Sequence, residues 1–305
     1  MSKPVIGLAL GSGAARGWSH IGVIEVLKEE GISPDIVCGC SMGAYVGAAY
    51  AAGKLQDLKH WAETFAWRQV VGKLDLSFSG GLISTEFVGH FLKDLGVAGD
   101  IEDLGRRFAA VATDFTTGLE EWFATGPVDC AVRASVALPG ILAPINVGGR
   151  WFVDGGLVNP VPVSVCRALG ADFVIAVNLN GDLIGRRRVE TAKTGGTAGS
   201  DMIEKALGNL PENWRPTVAQ TLAKFLDSGE QAPGYFDILA NSINIMQDRI
   251  TRSRLAGEPP HALLVPRLGD MGILDFEQAG KTIAEGRRTA EYALPEIRRM
   301  LDVLG

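Results

Sequence analysis

A serine at position 41, framed as Gly39-Cys40-Ser41-Met42-Gly43, follows the apolar run Pro34-Asp35-Ile36-Val37-Cys38 and precedes the helix-prone run Ala44 to Ala52. Such a succession reads as a strand, a tight turn and a helix, the layout of an α/β unit in which a hydroxyl is lifted clear of a sheet edge. Gly39 and Gly43 remove Cβ atoms where the chain reverses sharply, and glycine also tolerates backbone angles that other residues avoid. Amides that open the following helix are unpaired within it, so an oxyanion formed beside Ser41 would find donors nearby. The plainer alternative is a serine in a turn of small residues.

A second turn of this kind lies upstream. Val5 to Leu10 reads as a short buried strand, and Gly11-Ser12-Gly13-Ala14-Ala15-Arg16-Gly17 then opens into a helix bearing Ile21, Val23, Ile24, Val26 and Leu27. Loops of this composition offer backbone N–H groups to an anion, either a phosphate or the oxyanion of an acyl transfer. Dinucleotide binding is disfavoured because Arg16 stands at the third glycine position of the fingerprint, and no acidic residue clearly ends the strand at Ile36 to Cys38. A phosphate-binding loop of the nucleotide hydrolases is excluded, since no Gly-Lys-Ser/Thr follows.

The four histidines, His20, His60, His90 and His261, do not supply an evident base. Only His261 comes late, and it precedes the strand-like Ala262 to Val265 where a triad histidine would follow a strand. His20 reads as structural, His60 and His90 as surface or capping residues. Asp154 is the other candidate: Trp151-Phe152-Val153-Asp154-Gly155-Gly156 sets one acid at the end of an aromatic strand, with two glycines allowing the chain to turn closely around it. A carboxylate there can accept a serine proton directly. An Asp-Gly hairpin turn is the competing reading.

In this order, Gly11 to Gly17, Gly39 to Gly43 and Asp154-Gly155-Gly156 resemble the three signatures of the patatin-like phospholipase family. Further stretches, Val111 to Gly118, Arg133 to Gly140 and Met271 to Gly286, resemble its compact bacterial members of the RssA type, related to the catalytic domain of neuropathy target esterase. The resemblance covers nearly the whole chain and is weakest over about 181–235. It implies a three-layer α/β/α fold around a mainly parallel sheet, and hydrolysis of a carboxylic ester, usually of a phospholipid or lysophospholipid, through an acyl-serine intermediate. It also implies that Ser41 is the nucleophile and Asp154 the general base, and that amides around Gly11, Ser12, Gly13 and Ala14 form the oxyanion hole. Arg16 matches the basic residue of that loop, and Gly17, Gly39, Gly43, Gly155 and Gly156 complete the motifs. No metal or organic cofactor is implied. Ser12 and Ala14 stand where many relatives have glycine, a departure that is tolerable because only the N–H groups are needed.

Composition is consistent with this reading. The 305 residues carry 21% charged and 47% hydrophobic side chains and a net charge of −6, which offers no polyanion-binding surface and so disfavours nucleic acid. Cys38, Cys40, Cys130 and Cys166 lie mostly in apolar surroundings and lack a C-x-x-C pair, so reduced thiols and a cytoplasmic protein are expected. Neither a signal peptide nor a spanning segment is recognised, so membrane contact is expected to be peripheral, at the inner face. Trp61, Phe65, Trp67, Val70, Val71, Leu74, Leu76 and Phe78 read as core or as a hydrophobic lip at the mouth of the site.

The chain is expected to form one catalytic domain over 1–305, with an insertion at about 181–235 in which Arg186 to Arg188 and Thr191 to Ser200 lack periodicity and two short amphipathic helical stretches follow, around Met202 to Leu207 and Val218 to Leu226. That insertion reads as a surface loop, a lid or a partner-binding arm. Beyond it, Tyr235 to Arg254 places Phe236, Leu239, Ile243, Met246 and Ile250 on one helical face, most simply a core-packing face. Asp275 to Ala290 and Tyr292 to Leu304 read as two closing helices, with Asp275 and Gln278 as an N-terminal capping pair. A rival function is a regulatory protein that keeps the fold and binds a lipid or protein partner with little turnover.

Overall fold

A computed structural model of the protein describes residues 3–64, 83–182 and 235–304. Residues 65–78 of the aromatic run, and all but the ends of the 181–235 insertion, lie outside the described residues.

The glycine-punctuated apolar runs form a sheet buried on both faces. Strands β1 (Ile6–Leu10) and β2 (Ile36–Cys40) pair in parallel, each wholly buried. Parallel pairing continues from β2 to β3 (Arg107–Asp114) and from β1 through β7 (Phe173–Val177) to β8 (Ala262–Leu264). Three strands joined by antiparallel pairing complete it: β4 (Glu120–Phe123) and β6 (Arg150–Asp154) on β3, and β5 (Ile145–Val147) on β6. The eight strands run in the order β5-β6-β3-β2-β1-β7-β8, with β4 paired to β3.

Eight helices accompany the sheet among the described residues: α1 (Ser19–Glu29), α2 (Met42–Ala51), α3 (Leu55–Glu63), α4 (Glu86–Asp94), α5 (Val128–Val136), α6 (Val163–Ala168), α7 (Tyr235–Gly257) and α8 (Ala279–Leu304). Period-two alternation divides the strands between two cores. Leu8, Leu10, Val37, Phe108, Ile175 and Val177 face the large helical layer that includes α1, α2, α3 and α8. Ala9, Cys38, Cys40, Ala109 and Ala176 face Val163, Val165 and Cys166 of the short α6, where small strand residues leave room for close approach. The fold is therefore the three-layer α/β arrangement expected, with a mostly parallel central sheet.

Helices α1 and α8 touch backbone to backbone. A Cβ at Gly22 would stand 2.0 Å from the Ile283 carbonyl oxygen, and one at Gly286 would stand 2.0 Å from that of Ser19. Arg287 ties the crossing to Glu29 at 2.7 Å.

Two expectations are corrected here. The closing segment is one helix, Ala279–Leu304, with Pro295 inside it. Buried Ala290, Leu294 and Ile297 continue the stripe begun by Ala279, Ile283 and Gly286, and that burial offsets the amide lost at proline. Asp275 precedes a short 3-10 turn, Phe276–Gln278, and its carboxylate accepts from the Gly272 amide and Gln278 Nε2 instead of capping helix amides. Trp61 packs against Trp18 and Phe91, with ring centroids 5.9 and 5.0 Å away, so it is a partly buried side chain packed on the core. All four cysteines are unbridged, and burial holds the Cys38 and Cys40 thiols well above their ordinary range.

Candidate active site

Ser41 is the first residue beyond β2 and immediately precedes α2. Its backbone sits at φ 55°, ψ −125°, a region that costs a non-glycine residue on the order of 1–3 kcal/mol. Neither Gly39 nor Gly43 has a positive φ, which corrects the expectation that they absorb unusual angles. Their role is close approach: a Cβ at Gly39 would lie 2.4 Å from the Ala44 Cα, and one at Gly43 2.1 Å from the Leu10 carbonyl oxygen. The strained serine is held by Ser135 of α5, which is fully buried. The Ser41 amide donates to Ser135 Oγ at 2.8 Å, and that hydroxyl donates to the Val111 carbonyl at 2.6 Å.

Asp154 closes β6 and leads into a short 3-10 turn, Gly155–Leu157, so the hairpin reading does not hold. The register of β3 brings it to Ser41. Cys40 pairs with Val111, and Asp154 pairs with the next residue, Ala112. Ser41 Oγ donates to Asp154 Oδ2 at 2.6 Å, while Asp154 Oδ1 accepts from the Gly156 amide at 2.7 Å. The Asp154 backbone is fixed at both ends, its amide donating to the Ala137 carbonyl at 2.9 Å and its carbonyl accepting from Thr113 Oγ1 at 2.9 Å. Burial pushes the carboxyl up to about 6, against the lowering effect of the Ser41 and Gly156 hydrogen bonds. A carboxylate of that basicity, hydrogen-bonded to a hydroxyl, can take its proton.

The glycine loop is only partly available to an anion. The Gly11 amide donates to the Val177 carbonyl at 3.0 Å and the Ser12 amide to the Pro160 carbonyl at 2.8 Å. Both are therefore removed from the expected oxyanion set, because they tie the loop to β7 and to the turn after β6. The Gly13 and Ala14 amides have no partner among the described residues, and both residues line a cavity of about 20 Å³ with Ser41. Ala14 holds φ 48° in spite of its Cβ. Arg16 is buried, with Nε donating to the Gly13 carbonyl at 3.1 Å. Gly17 lets this loop abut α2, since a Cβ there would lie 2.4 Å from that of Met42. Gly155 packs likewise on the Val111 carbonyl.

Helix α7 crosses over this loop. Ser12 Oγ donates to Gln247 Oε1 at 2.9 Å, which also accepts from Asn180 Nδ2 at 3.0 Å, and an Arg16 terminal nitrogen donates to Asn244 Oδ1 at 2.7 Å. Asn244 and Gln247 also line the cavity. The face expected to pack on the core is thus corrected: Ile243 is buried, but Met246 is 46% exposed while Gln247, Asp248 and Thr251 are buried. A larger cleft, about 550 Å³, lies against α8 near Arg267 and Lys281 and shares no lining residue with the cavity at Ser41.

None of the histidines touches Ser41 or Asp154. His20 is buried and pairs its Nε2 with the Gly11 carbonyl at 2.8 Å; burial lowers it to about 4, partly opposed by that bond, so the ring is neutral and braces the loop. His261 accepts from the Val174 amide at 2.9 Å and stacks on Phe173, joining β7 to β8. His60 and His90 are exposed. Among the described residues, no three His, Cys, Asp or Glu side chains gather as a metal site requires. Sequence reasoning missed Ser135, Asn180, Asn244 and Gln247. The only available signal was the polar residues interrupting the apolar pattern of α7.

A strained serine between strand and helix, a buried carboxylate on its hydroxyl and two loop amides unpaired among the described residues thus lie together at one end of an α/β sheet. The family model of the patatin-like phospholipases matches residues 8–167, and the chain belongs to that family. An uncharacterized NTE family protein of Mycobacterium tuberculosis (strain H37Rv) is 36% identical over 336 residues, covering 96% of this chain and 92% of that protein. A lysophospholipase, nte1, of Emericella nidulans is 36% identical over 183 residues, 57% of this chain and 12% of that protein. The solved structure of VipD from Legionella pneumophila covers 96% of this chain and 67% of that one, with a TM-score of 0.45 and 12% identity.

Proposed function

We propose that the protein is a serine lipid acyl hydrolase, a phospholipase, lysophospholipase or carboxylesterase, working through a Ser41–Asp154 dyad. The observation that carries this reading is the 2.6 Å hydrogen bond from Ser41 Oγ to a fully buried carboxylate. Asp154 takes the hydroxyl proton as Oγ attacks the ester carbonyl. The tetrahedral oxyanion is met by the Gly13 and Ala14 amides, with Arg16 holding the loop in shape. Collapse passes the proton from Asp154 to the departing alcohol and leaves an acyl-serine. Water, deprotonated by Asp154, then attacks the acyl carbon; the second oxyanion collapses, Ser41 regains its proton and the fatty acid leaves.

Membership of the family and the likeness to a lysophospholipase support a lipid ester as the substrate class. The core contacts running from β1 to α8 favour one catalytic unit over 1–305. Unbridged cysteines favour a cytoplasmic setting, and a lipid substrate would bring such a protein to the inner membrane face as a peripheral contact. The small size of the Ser41 cavity favours a second reading, a regulatory protein that binds a lipid or protein partner with little turnover.

A fluorophosphonate probe applied to wild-type, Ser41→Ala and Asp154→Asn proteins, with intact-mass readout and a parallel p-nitrophenyl butyrate assay, separates the two. Labelling and turnover of the wild type alone are expected. Absence of labelling at Ser41 under every condition would leave the regulatory reading.

A further inference from the structure

Helix α7 carries its polar and apolar faces in an unusual sense. Toward the protein it buries, beside Ile243, the polar Gln247, Asp248 and Thr251, which are 4%, 1% and 1% exposed. Toward solvent it presents Ile238, Ile245 and Met246, each about half exposed at 53%, 50% and 46%. Ile238, Ser242, Ile245, Arg249 and Arg252 follow spacings of four and three, so they form one stripe along the helix, apolar at its start and cationic toward its end. Arg252 is engaged by Asp248 at 2.7 Å, whereas Arg249 makes no ion pair among the described residues.

The seam beneath the helix is imperfectly satisfied. Asp248 Oδ1, Thr251 Oγ1 and Asn180 Oδ1 are buried without a hydrogen-bond partner among the described residues. A contact made of polar side chains with unmet acceptors is weaker than an apolar one of equal area, and belongs to the part of a fold that opens first. The same helix limits the space beside Ser41 to about 20 Å³, room for a water molecule and far less than a fatty acyl chain.

We propose that the outer stripe of α7 is the surface through which the protein docks on an anionic lipid aggregate, and that docking there draws α7 away from the Ser41 cavity. The inference rests on the reading of Ser41 as a nucleophile toward lipid esters. An apolar stripe followed by Arg249, a guanidinium with no ion pair among the described residues, matches a bilayer interface, with the isoleucines and methionine at the acyl boundary and Arg249 among phosphates. Phe115 and Leu119, each 66% exposed, and Trp151, 48% exposed, add apolar side chains beyond the carboxyl end of β3, the end of the sheet from which Ser41 also emerges.

The test uses full-length protein and vesicles of non-hydrolysable diether phosphatidylcholine, with or without 30% diether phosphatidylglycerol. Co-sedimentation and the rate of fluorophosphonate labelling at Ser41 are both read. Wild type should sediment with the anionic vesicles and label at least fivefold faster in their presence. The Ile245→Glu/Met246→Glu double variant should partition at least tenfold more weakly and label at the vesicle-free rate. Arg249→Ala should lose the preference for phosphatidylglycerol while retaining weak binding. Because these positions are exposed, unchanged circular dichroism is expected for both variants. Sedimentation of the double variant equal to wild type overturns the proposal. So does a wild type that self-associates through this face, seen as a smaller species for the double variant in sedimentation velocity. Labelling that occurs but ignores vesicles removes the coupling and leaves the dyad intact. Vesicle binding through the stripe with no labelling at all would sink the nucleophile reading while upholding the docking surface.

Discussion

At the scale of single residues, Asp154 is placed against its own solvation. Its carboxyl titrates near 6 in the folded protein because burial penalises the anion more than Ser41 and Gly156 relieve it. Unfolded, it would titrate near the ordinary value for aspartate, about 3.9. The native state therefore holds a proton that the unfolded state has released, so the contribution of this group is full below about pH 4 and is lost as pH rises through about 6. Asp154→Asn should abolish turnover while raising stability at pH 8 by up to about 3 kcal/mol, with the gain vanishing toward pH 4. Urea unfolding of both proteins at the two pH values measures it. For the wild type, kcat/KM should climb to a plateau with an apparent pKa near 6, because only the carboxylate accepts the serine proton. Ser135→Ala would strand the buried Ser41 amide and loosen the strained turn. A loss of about 1–3 kcal/mol in stability is expected. A kcat lowered roughly 10- to 100-fold, with KM and the pH limb retained, would mark Ser135 as a positioning residue and not a proton carrier.

At the scale of elements, helices α1 and α8 meet with no room for a side chain at the crossing. Gly22→Ala or Gly286→Ala should push the helices apart and cost on the order of 2–4 kcal/mol, read as a lowered thermal midpoint. The Ser41 hydrogen bonds include neither residue, so specific activity of the folded fraction should persist. Helix α7 was legible as a helix and illegible as to its faces. Spacings of three and four at Leu239, Ile243, Met246 and Ile250 admit a core-packing face, yet of these only Ile243 is buried, beside Gln247, Asp248 and Thr251. Periodicity reports which residues share a side, while the neighbour supplied by the rest of the chain decides which side turns inward. Here that neighbour was the glycine loop, with Ser12, Arg16 and Asn180 to be hydrogen-bonded.

At the scale of the whole molecule, Ser41 and Asp154 are 113 positions apart and are united by one strand, since β3 pairs with both β2 and β6. The Ser41–Asp154 geometry therefore depends on long-range pairing within the sheet, whereas the small cavity beside Ser41 is bounded in part by α7. Low urea should release the polar seam first, so the labelling rate at Ser41 should rise several-fold before the circular dichroism of the sheet changes; a rate that only falls with the global transition would show α7 to be part of the same cooperative unit. The apolar strands, the two glycine turns and the acid at the end of β6 could be read in the chain, because strand, turn and helix preferences act over a few residues and the motifs hold their spacing along the sequence. What only the tertiary structure decided was which amides stay free, which serine braces the turn, and what covers the site. Gly11 and Ser12 lost their amides to the Val177 and Pro160 carbonyls, and Ser135 reached Ser41 across 94 positions. Those outcomes are set by hydrogen bonds between distant segments, and no local pattern in the sequence encodes where such partners will meet.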